Sequence, residues 1–187
     1  MSAKILIISG SDRTGSFNTQ LAEQFAQTAQ ARGLEAEVYN YSHIPLLSQN
    51  DEFPTRAIIA QLRADIKQAD GLLIVSPEYN GAYPARLKNL IDWASRPDPA
   101  EAPGTPTVLA GKKVGIASVA NSSYGKFALK SLEHLINFVG ADLMDSQGLG
   151  IRIPREARAE GKLILDWEQQ QKADTFIANY LAFIHQG

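Results

Sequence analysis

Lys4-Ile5-Leu6-Ile7-Ile8-Ser9-Gly10-Ser11-Asp12-Arg13-Thr14-Gly15-Ser16-Phe17-Asn18 is the stretch on which the fold turns. Lys4 to Ser9 is a short, continuous apolar run rich in isoleucine, the pattern of a central strand buried on both faces. Gly10-Ser11 ends it in a turn. Beyond Ser16, the residues Phe17, Leu21, Phe25 and Ala29 recur at four-residue spacing and Gly33 follows as a stop, which predicts an amphipathic helix over 17–32. Strand, turn and helix make one βα unit.

The same grammar repeats outward from this unit. Residues 35–41 alternate as an edge strand with Ala36, Val38 and Asn40 on one face, and a loop containing Pro45 follows. Ile58, Ile59, Leu62 and Ile66 predict a helix over 55–69. Residues 71–76 form a second continuous apolar run, ending in the turn residues Pro77, Asn80 and Gly81. Pro84 suits the first position of a helix carrying Leu87, Leu90, Ile91 and Ala94. The stretch from Pro97 to Gly111 holds four of the nine prolines and reads as a surface loop. Residues 113–119 are a fourth strand, followed by a helix with Leu129, Leu132, Ile136 and Val139 that Gly140 stops. A weak fifth strand is expected within 141–153, and a final helix over 167–185 places Ile177, Tyr180, Leu181 and Ile184 inward. Alternating strands and helices require right-handed crossovers, hence a mostly parallel sheet covered on both faces. The expected architecture is one α/β domain over residues 1–187, a flavodoxin-like doubly wound sheet of five parallel strands in the order 2-1-3-4-5. In such sheets ligands bind beyond the carboxyl ends of the strands, so the loops after strands one, three and four carry the search.

Composition narrows the function classes. The 187 residues are 44% apolar, enough for one sizeable core, and a net charge of −2 provides no basic field for nucleic acid or anionic lipid. The longest apolar runs are too short to span a bilayer and no basic-then-apolar leader opens the chain, so a soluble, cytoplasmic protein is expected. The absence of cysteine excludes disulfides, thiolate metal sites, iron–sulfur clusters and a cysteine nucleophile. His43, His134 and His185 lie on separate elements without ligand spacing, so neither a metal site nor a triad is expected.

The first loop has the makeup of a phosphate cradle. It lies where unpaired N–H groups and the positive end of a helix dipole favour an anion. Ser11, Thr14 and Ser16 add hydroxyls, Asn18 an amide, and Arg13 a planar fork of donors matched to phosphate. The plainer alternative is that Ser16 only caps the helix and Arg13 is a solvated surface residue. Neither Gly-x-x-x-x-Gly-Lys-Ser/Thr nor Gly-x-Gly-x-x-Gly is present, which disfavours a P-loop NTPase and an ordinary dinucleotide fold and leaves a mononucleotide phosphate. In the second loop, Pro77 to Gly81, proline and glycine hold backbone groups toward the polar edge of a flat ring such as a flavin pyrimidine, with Tyr79 able to stack or flank it. Taken singly, Glu78 is a solvated carboxylate and Tyr79 half-buried packing.

Gly10-Ser11-x-Arg13-x-x-Ser16-x-Asn18 and Pro77-Glu78-Tyr79-Asn80-x-x-x-Pro84-x-x-Leu87-Lys88-Asn89-x-x-Asp92-Trp93 together resemble the signatures of the NADPH-dependent FMN reductases and the related NAD(P)H quinone and azo reductases. Element order and length fit along nearly the whole chain. The resemblance implies Ser11, Arg13, Ser16 and Asn18 at the FMN phosphate, with Phe17 beside them. It implies Pro77, Glu78, Tyr79 and Asn80 along the ribityl chain and isoalloxazine, with Gly81 closing the turn. It also implies NADPH or NADH as co-substrate, a small-molecule electron acceptor, and a homodimer or dimer of dimers with the 84–93 helix near an interface. Catalytic side chains are not required, because hydride passes from nicotinamide to flavin and electrons leave from the same face. One departure concerns the loop after strand four, Ser118-Val119-Ala120-Asn121-Ser122-Ser123-Tyr124-Gly125, which has a single glycine where the family carries a pair. Its Ser118 and Ser122 are the remaining hydroxyl candidates toward the flavin. The rivals are an FMN-binding electron carrier without nicotinamide turnover, disfavoured by the low negative charge, and a cofactor-free module of the same fold.

Overall fold

The computed structural model describes residues 2–97, 101–145 and 147–185. β1 (Lys4–Ser9) pairs in parallel with β2 (Glu35–Val38) on one side and β3 (Gly71–Val75) on the other, and β3 pairs with β4 (Lys113–Ala120). The order is 2-1-3-4-5, with the fifth place divided between β5 (Asp142–Leu143) and β6 (Leu149–Arg152). Successive residues of β1 serve opposite faces. Ile5 and Ile7 pack with α1 (Phe17–Ala31) and α6 (Trp167–Ile184), while Leu6 and Ile8 pack with α2 (Ala57–Gln68) and α3 (Ala85–Ala94). α4 (Lys126–Phe138) joins the second layer through Leu129, Leu132 and Ile136. Both faces are therefore apolar, and each buried Leu or Ile contributes about 1.5–3 kcal/mol of hydrophobic stabilisation. That is why β1 and β3 read as continuous runs.

Several local expectations are corrected. β2 ends at Val38, because Tyr39 makes the last rung to the Ile7 carbonyl and then turns its hydroxyl to Asp65 at 2.8 Å. Asn40 is consequently exposed and does not share a face with Ala36 and Val38. The fifth strand is interrupted: β5 pairs beside Lys113 and Val114, β6 beside Ala117 to Ala120, and between them the Asp145 carboxylate accepts from the Gln147 N–H in a local turn. Pro84 is the N-cap with extended backbone, so α3 starts one residue later than expected. A short helix, α5 (Arg155–Glu160), and a three-residue 3₁₀ turn at Gln49–Asp51 went unanticipated, being too short to display a period. Of the Pro97–Gly111 loop, Asp98 to Ala100 lie outside the described residues; the remainder has no strand or α-helix, and Leu109 anchors it in the core.

The 44–56 connection is held onto α3. The Pro45 carbonyl accepts from Asn89 Nδ2 and Trp93 Nε1, both at 2.8 Å, and Asn89 Oδ1 accepts from the Leu47 N–H. Glu52, buried, accepts from Arg96 through both oxygens at 2.7 and 2.8 Å, which holds its carboxyl below the usual range. Asn89 and Trp93 of the second signature thus organise the scaffold behind the loops.

Candidate functional site

The carboxyl ends of β1, β3 and β4 are stapled level with one another. The Gly10 N–H donates to the Val75 carbonyl at 2.8 Å and the Ser76 N–H to the Ala117 carbonyl at 2.9 Å. Above this edge lies a cleft of about 220 Å³ lined by Ser11, Arg13, Ser16, Phe17, Asn18, Pro77, Glu78 and Tyr79, with Val119, Ala120, Asn121, Ser123 and Ile153 completing its wall. The structure thus brings together eight of the residues singled out from sequence. Asn80 and Gly81 stand at the tip of their turn, Ser122 lines a neighbouring groove, and Ser118 is buried beside Gly125 and does not line the cleft.

The first loop keeps its donors free. Ser16 occupies the N-cap of α1 but makes no side-chain cap hydrogen bond, and the first turn of α1 has no acidic residue. The helix dipole is therefore not neutralised from within, and the N–H groups of Phe17 and Asn18 have no intrahelical acceptor. Arg13 folds back, donating to the carbonyls of Thr14 at 3.1 Å and Gly15 at 3.2 Å, with its guanidinium carbon 5.9 Å from the centre of the Phe17 ring. These contacts are exposed and cheaply exchanged for a phosphate, which matches the guanidinium fork better than two carbonyls do. Beneath the loop, Ser9 and Thr19 hydroxyls meet at 2.8 Å and Tyr41 donates to the Ser9 carbonyl at 2.6 Å. Burial pushes the Tyr41 phenol above its ordinary value, so it stays a neutral donor.

Asn18 has a structural role in addition to its place in the cleft lining. Its Nδ2 donates to the Val119 carbonyl at 2.9 Å and its Oδ1 accepts from the Val119 N–H at 2.8 Å, both buried. One hydrogen of the side-chain amide and its oxygen clasp α1 to the end of β4, which leaves the second Nδ2 hydrogen and the backbone N–H for an anion in the cleft that Asn18 lines.

The second loop is fixed by its own contacts. Tyr79 and Ala82 exchange both backbone hydrogen bonds, at 2.8 and 3.0 Å, around Asn80 and Gly81, whose φ values of 51° and 77° are those of a tight two-residue turn. Glu78 accepts from the N–H groups of Phe127 at 2.9 Å and Ala128 at 3.1 Å, so its carboxylate caps α4. α4 needs that: its own N-cap is Gly125, with no side chain to offer. Gly125 is itself required, since its φ of 74° is left-handed and a Cβ there would strike the buried Ser118 side chain. Ser118 thus fills the space beneath the third loop, and its hydroxyl has no hydrogen-bond partner among the described residues.

Val119 and Ala120, the last residues of β4, and Asn121, directly after it, were not singled out from sequence although the topology places ligands at that end of the strand. Ile153 carried no such signal; it reaches the cleft because its N–H extends the β6 ladder to the Ala120 carbonyl at 2.8 Å.

Comparison with known proteins agrees with this architecture. The model of the NADPH-dependent FMN reductase family matches residues 3–152. A 2-hydroxy-1,4-benzoquinone reductase of Burkholderia sp is 30% identical over 98% of this chain and 97% of its own length. A quinone reductase of Escherichia coli (strain K12) is 33% identical over 78% of this chain and 76% of its own. Among solved structures, the flavoenzyme NAD(P)H:(acceptor) oxidoreductase FerB from Paracoccus denitrificans superposes with a TM-score of 0.84 over 98% of both chains at 24% identity, a likeness of fold.

Proposed function

The chain belongs to the NADPH-dependent FMN reductase family, an oxidoreductase family, and from that premise we propose that it reduces quinones with NAD(P)H through FMN seated in the cleft between Ser11–Asn18 and Pro77–Gly81. The net reaction is NAD(P)H, one proton and a quinone giving NAD(P)⁺ and the quinol. FMN, when bound, supplies the hydride acceptor and the outlet for two electrons. The observation that carries this reading is the start of α1: a Ser16 hydroxyl not used in capping, free first-turn N–H groups and no internal acid, beside an arginine with only exposed contacts.

The residues divide the work. Ser16, Arg13 and the N–H groups of Phe17 and Asn18 would hold the phosphate. Ser11 stands at the mouth of the same loop, its hydroxyl accepting weakly from the Arg13 N–H at 3.4 Å. Pro77 and the backbone around Tyr79 would face the ring, held in place by the Glu78 cap and the Asn80-Gly81 turn. Tyr79, half exposed, flanks the space where a flat acceptor would stack. Quinone is the acceptor favoured, because the Burkholderia and Escherichia coli relatives described above bear quinone reductase names. The cytoplasm is the proposed location; no helix among the described residues is long and apolar enough to cross a membrane. A homodimer or dimer of dimers is the proposed assembly, supported by the exposed aromatic side chains Tyr79, Tyr124 and Phe127.

The test is anaerobic. Protein loaded with FMN is mixed with NADPH or NADH, and the visible flavin band should bleach, then return on addition of a benzoquinone. Persistence of the band with both nicotinamides would leave the electron-carrier alternative in place of the reductase.

A further inference from the structure

Asn121 stands in the wall between two cavities, the candidate cofactor cleft and a larger groove of about 1020 Å³ beyond it. From the groove side, Arg158 donates through its Nη2 to Asn121 Oδ1 at 2.5 Å. A guanidinium can only donate, so the oxygen of the amide must face Arg158. The oxygen and nitrogen of a carboxamide diverge from one planar carbon, so fixing the direction of one fixes the other. With its oxygen turned to the groove, Asn121 has Nδ2 left for the cleft.

Arg158 is well placed to hold that orientation. α5 is joined to the phosphate-loop helix: Gln20 Nε2 donates to the Gly161 carbonyl at 3.0 Å and Gln20 Oε1 accepts from the Leu163 N–H at 2.7 Å. The buried Ala157 pins the helix from below. Glu156 and Glu160 line the same groove, yet among the described residues Arg158 forms no ion pair with either. Its polar contact is Asn121.

We infer that Asn121 is an FMN-binding donor of this chain and that Arg158 is its positioning residue, setting which edge of the amide the cofactor meets. The inference rests on the cleft being the FMN site, as proposed above. The outward polar atoms of FMN are mostly acceptors: phosphate oxygens, two ring carbonyls and ring nitrogens. A donor suits them. Reduction adds negative charge to the ring, so a donor there also favours the reduced state.

Asn121→Asp is the discriminating variant. It is nearly isosteric and keeps an oxygen for Arg158, but puts an anionic oxygen where the donor was. FMN dissociation constants, read by quenching of FMN fluorescence, should rise about tenfold or more, as expected for losing a donor and gaining a like charge. The midpoint potential of the bound flavin should move to more negative values. Arg158→Ala should weaken FMN binding about threefold, in line with loss of orientation alone, and Arg158→Lys, which still donates to Oδ1, should restore most of it. Unchanged affinity and potential in Asn121→Asp, or equal affinities for Arg158→Ala and Arg158→Lys, would overturn the inference. Failure of the unaltered protein to quench FMN at all would instead overturn the placement of the cofactor in this cleft, and this inference with it.

Discussion

The two loops that meet over the sheet edge differ in what they do with their polar groups. In Ser11–Asn18 the Ser16 hydroxyl and the N–H groups of Phe17 and Asn18 have no hydrogen-bond partner among the described residues, and Arg13 makes only exposed hydrogen bonds to its own loop. In Pro77–Gly81 the Glu78 carboxylate caps α4 and the backbone of Tyr79 closes a tight turn. One loop is unsatisfied and suited to recognise a charged group; the other is satisfied and suited to hold a shape. A binding site assembled from both has affinity from the first and geometry from the second, and the two can be disturbed separately.

The largest expected effect is on the first loop. Arg13→Ala should weaken FMN binding by about 2 kcal/mol, the magnitude of a charge-assisted hydrogen bond, while leaving the thermal unfolding of the apoprotein unchanged. Fluorescence titration together with a melting curve separates the two; unaltered affinity would remove Arg13 from the phosphate site. Next is Glu78→Gln, which keeps one acceptor but loses the charge at the α4 N-terminus. A stability loss of about 1 kcal/mol by urea denaturation is expected from the cap and dipole together. Should that variant instead lose FMN affinity with full stability, the division between the loops would fail. The smallest effect falls at the turn. Asn80→Ala should cost about 0.5–1 kcal/mol through the left-handed backbone, whereas Asn80→Gly should be nearly neutral, both read by the same denaturation experiment.

The fold was legible because its signals are local. Ile5 to Ile8 and Leu72 to Val75 are continuous apolar runs, and the helices carry their periods openly, so element order and sheet topology follow from chain chemistry alone. What escaped was either short or dependent on distant partners. α5 spans six residues, and the break between β5 and β6 depends on a turn at Asp145. In the site, the free donors of the first loop follow from its position ahead of a helix. By contrast, nothing near Glu78 announces that its partners are Phe127 and Ala128, and nothing near Asn18 announces Val119. Contacts across 50 or 101 residues leave no periodic trace, so side chains that resemble ligand contacts can be structural ones.

The Asn18 clasp has a consequence for the sheet as a whole. β3 pairs with β4 only as far as Ala117, whereas β4 runs on to Ala120, so on that flank the last residues of β4 would present an open strand edge. Asn18 offers both a donor and an acceptor to Val119, in the manner of one peptide unit of a neighbouring strand. A helix side chain thereby supplies the missing rung. The peptide groups of Val119 are thus paired beyond the end of β3 without an additional strand, and no open rung is left there for another chain to pair with.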